Sequence, residues 1–232
     1  MLEVQDVGKS FGDHRVLDNA SLAIGKGQIL VIIGLNGSGK STLMKIITGI
    51  LPCDNGCVRI DGKDVSALDP EDRKIGYVPQ TTALFNHLTV KENIIYSQKN
   101  GRGSPGGFEK VVSMLNLPQY LSKKPKELSG GYRARVALAR ALYSQPSVML
   151  LDEPLTEVDH AKKEQMLPEF KQVLHQLNIP VLYITHDPRE AELIGDAFAV
   201  MSKGKLKNIG TTEEAFRIIR AQVLEGAEIF TG

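Results

Sequence analysis

A glycine-rich segment places the strongest constraint on the fold of this chain. Gly34-Leu35-Asn36-Gly37-Ser38-Gly39-Lys40-Ser41-Thr42 directly follows the apolar run 29–33 and precedes a stretch of helical spacing. It fits the pattern G-x-x-x-x-G-K-S/T in the strand, loop and helix context that the pattern requires. Glycines let backbone N–H groups and the helix N-terminus approach a phosphate, with Lys40 between the terminal phosphates and Ser41 on Mg²⁺. We therefore expect a nucleoside triphosphate site, which leaves kinases, GTPases and many ATPases open.

Runs rich in Val, Ile and Leu alternate along the chain with stretches of helical spacing. They lie at residues 29–33, 75–78, 148–152, 181–185 and 197–201. Short apolar runs that alternate with helices predict an α/β fold with a mostly parallel sheet and crossover helices. Together with the glycine-rich segment, this pattern predicts a P-loop NTPase core.

Two further parts of the chain differ from that core pattern. The first 28 residues and residues 57–61 alternate polar and apolar positions, which favours an antiparallel β subdomain. Residues 84–127 are predicted to be helical, with Gly101 to Gly107 as an irregular link between two helices. We expect one domain over residues 1–232: an antiparallel β subdomain at about 1–30 and 57–62, a small helical subdomain at about 84–140 and the P-loop core in the remainder.

Capping residues mark three of the predicted helix starts. Thr89 with Glu92, and Asp187-Pro188 with Glu190, predict capping boxes. Asp69-Pro70 has the order of a cap followed by proline at the first helical position. These signals define helix boundaries better than hydrophobic periodicity does.

The charge balance and the apolar runs exclude several classes of protein. The 232 residues include 28 Lys plus Arg against 27 Asp plus Glu, a formal net charge of +1, so a nucleic acid partner is not expected. The longest apolar runs fall far below the roughly 20 residues of a membrane-spanning helix. The N-terminus lacks the basic start and the apolar stretch of a secretory signal. We therefore expect a cytoplasmic protein whose link to a membrane comes through a partner.

The two cysteines, Cys53 and Cys57, lie in a turn-like segment without a nearby His. Two cysteines are too few ligands for a zinc site. A reducing cytoplasm also disfavours a disulfide, so a structural role is expected for both.

Two acidic residues follow a predicted buried strand. Asp152 and Glu153 come directly after the apolar run 148–151. In open α/β sheets, ligands collect at the carboxyl ends of strands. Asp152 is predicted to hold Mg²⁺, and Glu153 to accept a proton from, or orient, the water that attacks the γ-phosphate. His186 ends the run 181–185 and is predicted to sense the γ-phosphate, with a merely structural histidine as the alternative.

A second anion site is predicted at Leu128-Ser129-Gly130-Gly131, which opens a long amphipathic helix and so presents another helix N-terminus. With the two earlier motifs, the chain resembles the nucleotide-binding subunit of an ATP-binding cassette (ABC) transporter, in which Leu-Ser-Gly-Gly is the signature motif. The resemblance covers residues 2 to about 215 in family order. It implies ATP and Mg²⁺ as cofactors and ATP hydrolysis as the reaction.

The resemblance also implies roles for single residues. Phe11 matches the aromatic residue that stacks on adenine, with one more core aromatic as the alternative. Gln80 matches the Q-loop glutamine near Mg²⁺ and the attacking water, and Asp159 matches the D-loop aspartate. The expected catalytic residues are Glu153, His186 and Gln80, and the expected metal ligands are Ser41, Gln80 and Asp152.

The chain departs from the family pattern in three respects. Tyr132 and Ala134 replace common glutamines, and Leu155-Thr156-Glu157-Val158-Asp159 replaces Leu-Ser-Ala-Leu-Asp. These departures leave the catalytic set intact. They are expected to alter the fine geometry of the dimer contact.

The resemblance implies a set of partners. Two cassettes, this chain and a second copy or a homologous cassette, would stack head to tail. Ser129 and Gly131 of one chain would then contact the γ-phosphate held by Lys40 of the other. The family further implies transmembrane permease subunits, indirectly a solute-binding protein, and a position on the inner face of the cell membrane. The segment 81–88, after Gln80, is similar to the one that receives a coupling helix, with a plain surface loop as the alternative.

Similarity to importer subunits extends to Ala83-Leu84-Phe85 and Glu153-Pro154-Leu155, so a substrate importer is expected. An exporter subunit, or a soluble cassette acting in translation or DNA repair, is the alternative. The segments that flank the motifs favour an inorganic oxyanion such as molybdate or tungstate as cargo. A kinase or GTPase shares only the glycine-rich loop.

Overall fold

The computed structural model describes residues 1–103 and 105–228. Strands in this part of the chain are β1 Leu2–Phe11, β2 His14–Ile24, β3 Ile29–Ile33, β4 Asn55–Ile60, β5 Lys63–Asp64, β6 Ile75–Val78, β7 Val148–Asp152, β8 Val181–Thr185, β9 Ala197–Ser202 and β10 Lys205–Ile209. The α-helices are α1 Lys40–Thr48, α2 Val90–Ile94, α3 Pro105–Met114, α4 Gly130–Tyr143, α5 His160–Gln176, α6 Pro188–Ile194 and α7 Thr212–Glu228. Short 3₁₀ helices lie at Pro70–Arg73, Ile95–Asn100, Pro118–Tyr120 and Pro125–Glu127.

The larger sheet has the strand order β10-β9-β3-β8-β7-β6. Its strands from β9 to β6 are parallel, and β10 adds to the β9 edge in the antiparallel direction. The central strands β3, β7 and β8 are buried at every position, as expected for a parallel sheet covered on both faces. The predicted mostly parallel α/β fold is therefore confirmed.

The smaller sheet is antiparallel, with the order β2-β1-β4-β5. Strands β1 and β2 form a hairpin whose register shifts at several places. Strand β4 begins at Asn55, and β5 follows it after a tight turn. The strands of the smaller sheet therefore lie within residues 2–24 and 55–64. Residues 29–33 belong to the larger sheet instead.

Two apolar clusters cover opposite faces of the larger sheet. Alternate residues of β3 show this division, because Val31 joins one cluster and Ile32 the other. The first cluster continues into α4, α5 and α6, and the second into α1 and the antiparallel sheet. Successive side chains of a strand point to opposite faces, so the fully apolar runs of the sequence supply both layers.

The predicted irregular link from Gly101 to Gly107 is wrong in its second half. Helix α3 begins at Pro105 and includes Gly106 and Gly107. Proline is well accommodated at the first helical position because that residue has no intrahelical N–H bond to make. The helix is stabilised by the burial of Val112 within it and of Leu115 directly after it. The glycines at its start give no indication of this burial.

The three predicted helix caps differ in outcome. Thr89 and Glu92 form the predicted capping box. Asp187 caps α6 by accepting from the N–H groups of Arg189 and Glu190, but the Glu190 side chain bonds Tyr183 and Lys163 instead of returning to the cap. Asp69 precedes a 3₁₀ helix that starts at a proline, and its side chain makes no capping hydrogen bond.

Within the described ranges, none of the helices combines the length and apolar character needed to cross a bilayer.

Candidate active site

Four neighbouring parallel strands deliver the predicted site residues to one edge of the larger sheet. Strand β3 leads into the phosphate loop, β8 into His186, β7 into Glu153 and β6 into Gln80. The pairs Ile33 with Thr185 and Asp152 with Ile184 show that β3, β7 and β8 end at the same level. The carboxyl ends of parallel strands thus gather residues that are far apart in sequence.

The glycines of the phosphate loop are required by the protein's own backbone. Gly37 and Gly39 have positive φ angles of 80° and 110°, a region that favours glycine. A Cβ atom on Gly34 would lie 2.5 Å from the carbonyl oxygen of Met201, and one on Gly39 would lie 2.9 Å from that of Val16. The sequence pattern predicts close approach to a phosphate for all these glycines, and the structure shows that Gly34 and Gly39 also permit close contact with neighbouring chain segments.

Lys40 points back over the phosphate loop. Its Nζ atom donates to the carbonyl oxygens of Gly34 and Leu35, at 2.8 Å and 2.9 Å. Burial lowers the pKa of Lys40, while the nearby carboxylates of Glu153 and Asp152 raise it. A desolvated ammonium group at the start of a helix is well suited to bind an anion.

The loop also contains a buried polar atom, Ser38 Oγ, which has no hydrogen-bond partner in the described part of the chain. Buried hydroxyl groups normally have a partner. A phosphate oxygen is an acceptor of the right kind for this hydroxyl. The loop therefore fits a phosphate group by its backbone, by its charge and by this unpaired donor.

Asp152 lies at the end of β7 and is 4% exposed. Burial raises the pKa of Asp152, and a hydrogen bond from the Ser41 side chain lowers it. Tyr77 lies with its hydroxyl 3.5 Å from Asp152 Oδ2, and burial together with the Asp152 charge raises the pKa of Tyr77 to about 12. Carboxylate and hydroxyl oxygens are the donors that Mg²⁺ prefers, so Asp152 and Ser41 fit a magnesium ion next to the phosphates.

Glu153 is the residue on which the other site side chains converge. Its Oε2 atom accepts from Gln80 Nε2 at 3.3 Å and lies 3.0 Å from His186 Nδ1. An ionised Glu153 accepts a hydrogen bond from Nδ1–H of His186, which leaves Nε2 of the ring free to face solvent or ligand. Glu153 itself is 7% exposed and has a φ angle of 47°, which is unusual for a residue with a side chain.

A cleft of about 380 Å³ joins the phosphate loop to this group. It is lined by Val16, Asn36, Gly37, Gly39, Lys40, Ser41, Thr42, Gln80 and Glu153. The structure therefore brings the loop, Gln80 and Glu153 together, with His186 in contact with Glu153.

The positions predicted to bind adenine, to form the signature motif and to form the D-loop do not line this cleft. Phe11 is 51% exposed at the end of β1, beside the Nζ atom of Lys9 at 5.8 Å. Ser129 is the exposed N-cap of α4, and its side chain makes no capping hydrogen bond. Asp159 is the N-cap of α5, with a side chain that is 79% exposed and pairs with Lys162.

The signature segment packs directly on the residues that follow Glu153. A Cβ atom on Gly130 would lie 2.0 Å from the carbonyl oxygen of Glu157, so only glycine fits there. The guanidinium of Arg133 contacts Glu157 Oε2 through two nitrogens, each at 2.9 Å, and donates to the Leu128 carbonyl. The unusual Glu157 thus has a partner on the signature helix, while Tyr132 stacks on Tyr120.

Sequence reasoning missed three residues near the site. Val16 lines the cleft from β2, and no local signal in the sequence marks it. Tyr77 approaches Asp152 from the neighbouring strand, and the strand order would have been needed to find it. Arg140 on α4 donates to the backbone that follows Gln80, through the carbonyl oxygens of Thr82 and Ala83.

A parallel sheet with a phosphate loop after β3 and acids after β7 defines a P-loop NTPase. The additional motifs narrow this class. The family model described as "ABC transporter" matches residues 17–156. The chain belongs to the ABC transporter family and is one of its ATP-binding cassettes.

Relatives of known name include import proteins with different cargoes. The chain is 38% identical over 220 residues to an sn-glycerol-3-phosphate import ATP-binding protein of Rhizobium johnstonii, covering 93% of this chain and 64% of that protein. It is 37% identical to a spermidine/putrescine import ATP-binding protein of Thermotoga maritima, covering 93% and 60%. It is 36% identical to a sulfate/thiosulfate import ATP-binding protein of Synechocystis sp., covering 92% and 61%. The chain thus spans less than two thirds of the length of these relatives.

Solved structures agree with this family assignment. A nucleotide-free ATP-binding cassette from an ABC transporter superposes with a TM-score of 0.81 at 29% identity, covering 95% of both chains. A dimeric cassette in a post-hydrolysis state, bound to ADP and Pi, gives a TM-score of 0.78 at 30% identity, covering 91% of this chain and 99% of that one.

Proposed function

We propose that the chain binds ATP with Mg²⁺ and hydrolyses it as the energising subunit of a substrate importer. The observation that carries this proposal is the convergence of Gln80 and His186 on the carboxylate of Glu153, beside the phosphate loop. A carboxylate held in this way can orient a water molecule and take its proton. The import proteins among the relatives support the transport role.

In the proposed reaction, water attacks the γ-phosphorus, the bond to the bridging oxygen breaks, and ADP and phosphate leave. Glu153 accepts the proton of the attacking water, and Gln80 and His186 fix the position of its carboxylate. Lys40 and the loop N–H groups bind the terminal phosphates. Asp152 and Ser41 would hold Mg²⁺, which offsets the negative charge that the phosphates carry.

The exposed positions outside the cleft support a second step, the pairing of two cassettes. Ser129 at the start of α4 and Asp159 at the start of α5 are exposed, and the Ser129 hydroxyl makes no cap to its own helix. We propose that Ser129 and Gly131 complete the γ-phosphate site of a second copy or a homologous cassette, and that Phe11 covers the adenine. ATP then links the two chains, and its hydrolysis releases them.

The segment 81–88 is the proposed contact with a transmembrane permease. A groove of about 320 Å³ next to it is lined by Thr81, Thr82, Ala83, Leu84, Asn86, Pro125, Lys126, Arg133 and Glu157. It connects the residues after Gln80 to the signature helix, so a partner seated there has access to both. Such a partner places the chain on the inner face of the membrane. For the cargo we propose an inorganic oxyanion delivered by a solute-binding protein, which the sulfate/thiosulfate relative supports.

The replacement Glu153→Gln tests the catalytic part of this proposal. It keeps the size of the side chain but removes the proton acceptor, so ATP hydrolysis is expected to fall about 100-fold or more. ATP binding persists, and the ATP-bound dimer accumulates, which size-exclusion chromatography with retained nucleotide detects.

Glu164→Gln provides the matched control, because Glu164 lies on α5 and pairs with Arg189 on the surface. It is expected to hydrolyse ATP at the wild-type rate and to form no stable dimer. Wild-type turnover by the Glu153→Gln variant would exclude Glu153 as the base.

A further inference from the structure

The segment that follows Gln80 is fixed by a cation from the signature helix. Arg140 Nη1 donates to the carbonyl oxygen of Ala83 at 2.8 Å, and Nη2 donates to that of Thr82 at 3.3 Å. The same guanidinium lies 5.5 Å from the centre of the Phe85 ring. One planar group from α4 thus contacts the segment at three of the five residues after Gln80.

The charge of Arg140 is directed entirely at this segment. Burial lowers the pKa of Arg140, and no other cause contributes. Across the described ranges, no carboxylate lies within salt-bridge distance of its guanidinium. A partly buried cation that lacks an anion must be stabilised by other acceptors, and here the backbone carbonyls and an aromatic ring fill that role. A planar guanidinium can bond two carbonyls and face an aromatic ring at the same time.

The bonded carbonyl belongs to a residue in an unfavourable conformation. Ala83 has a φ angle of 45°, in the left-handed region that disfavours residues with a Cβ atom. Such a conformation persists only where the surroundings hold it. Arg140 supplies one such restraint.

A second buried side chain fixes the other end of the segment. Asn93 on α2 is fully buried, and it accepts from the Phe85 N–H at 2.9 Å and donates to the Phe85 carbonyl at 3.1 Å. The segment is therefore held by α4 near its start and by α2 near its end. Gln80, just before it, bonds Glu153 of the core. The bonds of Arg140 thus connect α4 directly to the backbone next to Gln80.

We propose that Arg140 is a positioning residue that ties Gln80 to the signature helix, so that the signature motif and the amide of Gln80 move together. This inference rests on the proposed role of Gln80 at Glu153. It identifies the bond through which contact at the signature motif reaches the hydrolytic carboxylate.

The test compares Arg140→Lys with wild type by amide hydrogen exchange and by ATPase kinetics. Lysine keeps the charge but replaces the planar guanidinium with a single nitrogen, which weakens the hold on the two carbonyls and on the Phe85 ring. Exchange of the amides at 81–85 is therefore expected to accelerate about tenfold. The kcat is expected to fall about tenfold with unchanged affinity for ATP, because Lys40 and the phosphate loop remain intact. Unchanged exchange at 81–85, or a loss of ATP affinity equal to the loss in kcat, would overturn the proposal.

Two further variants separate this role from a general loss of stability. Ala83→Gly relieves the strain at φ 45° without touching α4, so on its own it should not accelerate exchange at 81–85. Combined with Arg140→Lys, it should recover part of the lost protection, because the segment then needs less restraint. A double variant that exchanges as fast as Arg140→Lys alone would argue against a restraint on the Ala83 conformation.

Arg135→Lys is the control on the same helix. Its guanidinium pairs with Glu169 and lies over Phe170, away from Gln80, so exchange at 81–85 and kcat are expected to match wild type. Gln80→Ala distinguishes a failure of the proposed role of Gln80 from a failure of the Arg140 inference. If Gln80→Ala leaves kcat unchanged, the proposed role of Gln80 fails; if it lowers kcat while Arg140→Lys does not, only the Arg140 inference fails.

Discussion

Single residues of this cassette act through backbone positions as much as through their side chains. Glu153 has a left-handed backbone directly after β7, and Thr156 bonds its carbonyl through both the hydroxyl and the N–H group. This turn directs the carboxylate toward Gln80 and His186, which come from the strands on either side. The type and order of these residues were predictable from the sequence. Their contact was not, because it depends on the adjacency of β6, β7 and β8.

Arg73 shows how one buried side chain fixes the helix that follows the phosphate loop. Its guanidinium donates to the carbonyl oxygens of Ile46 and Ile47 at the end of α1, and to those of Ser66 and Leu68. Arg73 is 5% exposed. A positive group at a helix C-terminus also interacts favourably with the helix dipole. No sequence motif marks this residue, since its partners are all backbone atoms.

We predict that Arg73→Ala lowers the free energy of unfolding by about 3 kcal/mol, since each buried carbonyl that loses its donor costs about 1–3 kcal/mol and water replaces some of the bonds. Denaturant unfolding monitored by circular dichroism measures the change. Arg189→Ala is the control, because Arg189 is largely exposed and pairs with Glu164 at the surface. It should cost less than about 1 kcal/mol. Equal effects of the two variants would show that the four carbonyls find other donors.

At the level of elements, α6 is held to the sheet and to α5 by a buried polar group. Glu190 accepts from the Tyr183 hydroxyl on β8 and from Lys163 Nζ on α5 at 3.4 Å. Sequence analysis predicted that Glu190 would complete a capping box with Asp187. The prediction failed because the adjacent strand offers a buried tyrosine, and a local pattern contains no information on that neighbour. The start of the helix at Asp187 was nevertheless predicted correctly.

Burial raises the pKa of Glu190 above the usual range, although the bonds from Tyr183 and Lys163 oppose the shift. The folded state therefore keeps the proton over a pH range in which the unfolded state has lost it. The stability contributed by protonated Glu190 is complete below the ordinary glutamate pKa of about 4.3 and is lost as the pH rises through the folded-state pKa.

We predict that Glu190→Gln removes this part of the pH dependence. The free energy of unfolding of wild type, relative to that of the variant, should decrease as the pH rises from about 4 toward neutrality. Denaturant titrations at a series of pH values measure the difference. Glu192→Gln on the same helix, at an exposed position, should run parallel to wild type. A constant difference between wild type and Glu190→Gln at all pH values would contradict the assignment.

At the level of the whole molecule, the fold separates the edge that carries the phosphate loop from two exposed surfaces. The cleft at the strand ends holds the phosphate loop and Glu153, whereas the signature start and the groove beside segment 81–88 face outward. The mostly parallel sheet and most of its strands were predictable, because fully apolar runs separated by helices are typical of that architecture. The order of the strands was not predictable from these runs. The prediction of an irregular link through Gly106 and Gly107 was wrong, because the burial of Val112 and Leu115 outweighs the low helix propensity of these glycines.

We predict that the tagged chain captures a multispanning membrane protein and a solute-binding protein from detergent-solubilised membranes of its own organism. Mass spectrometry identifies the captured proteins. Leu84→Glu, which places a charge in the groove beside segment 81–88, should abolish the capture, while Phe216→Glu at an exposed position on α7 should not.

Other results of this capture would contradict the whole proposal or one part of it. A permease without a solute-binding protein would favour an exporter. Ribosomal or DNA-repair proteins without a permease would favour a cassette that does not take part in transport. A cargo other than an oxyanion, identified from the solute-binding protein, would revise only that part of the proposal.

The pairing of β3 has a consequence for the synthesis of the chain on the ribosome. Ile29 pairs with Val181 in β8, and Leu30 pairs with Ala197 in β9, so both neighbours of β3 are translated long after it. Until they emerge, an entirely apolar strand that carries the phosphate loop has no partner, and such exposed strands promote aggregation. We therefore expect nascent chains that end before β9 to expose this strand to chaperones.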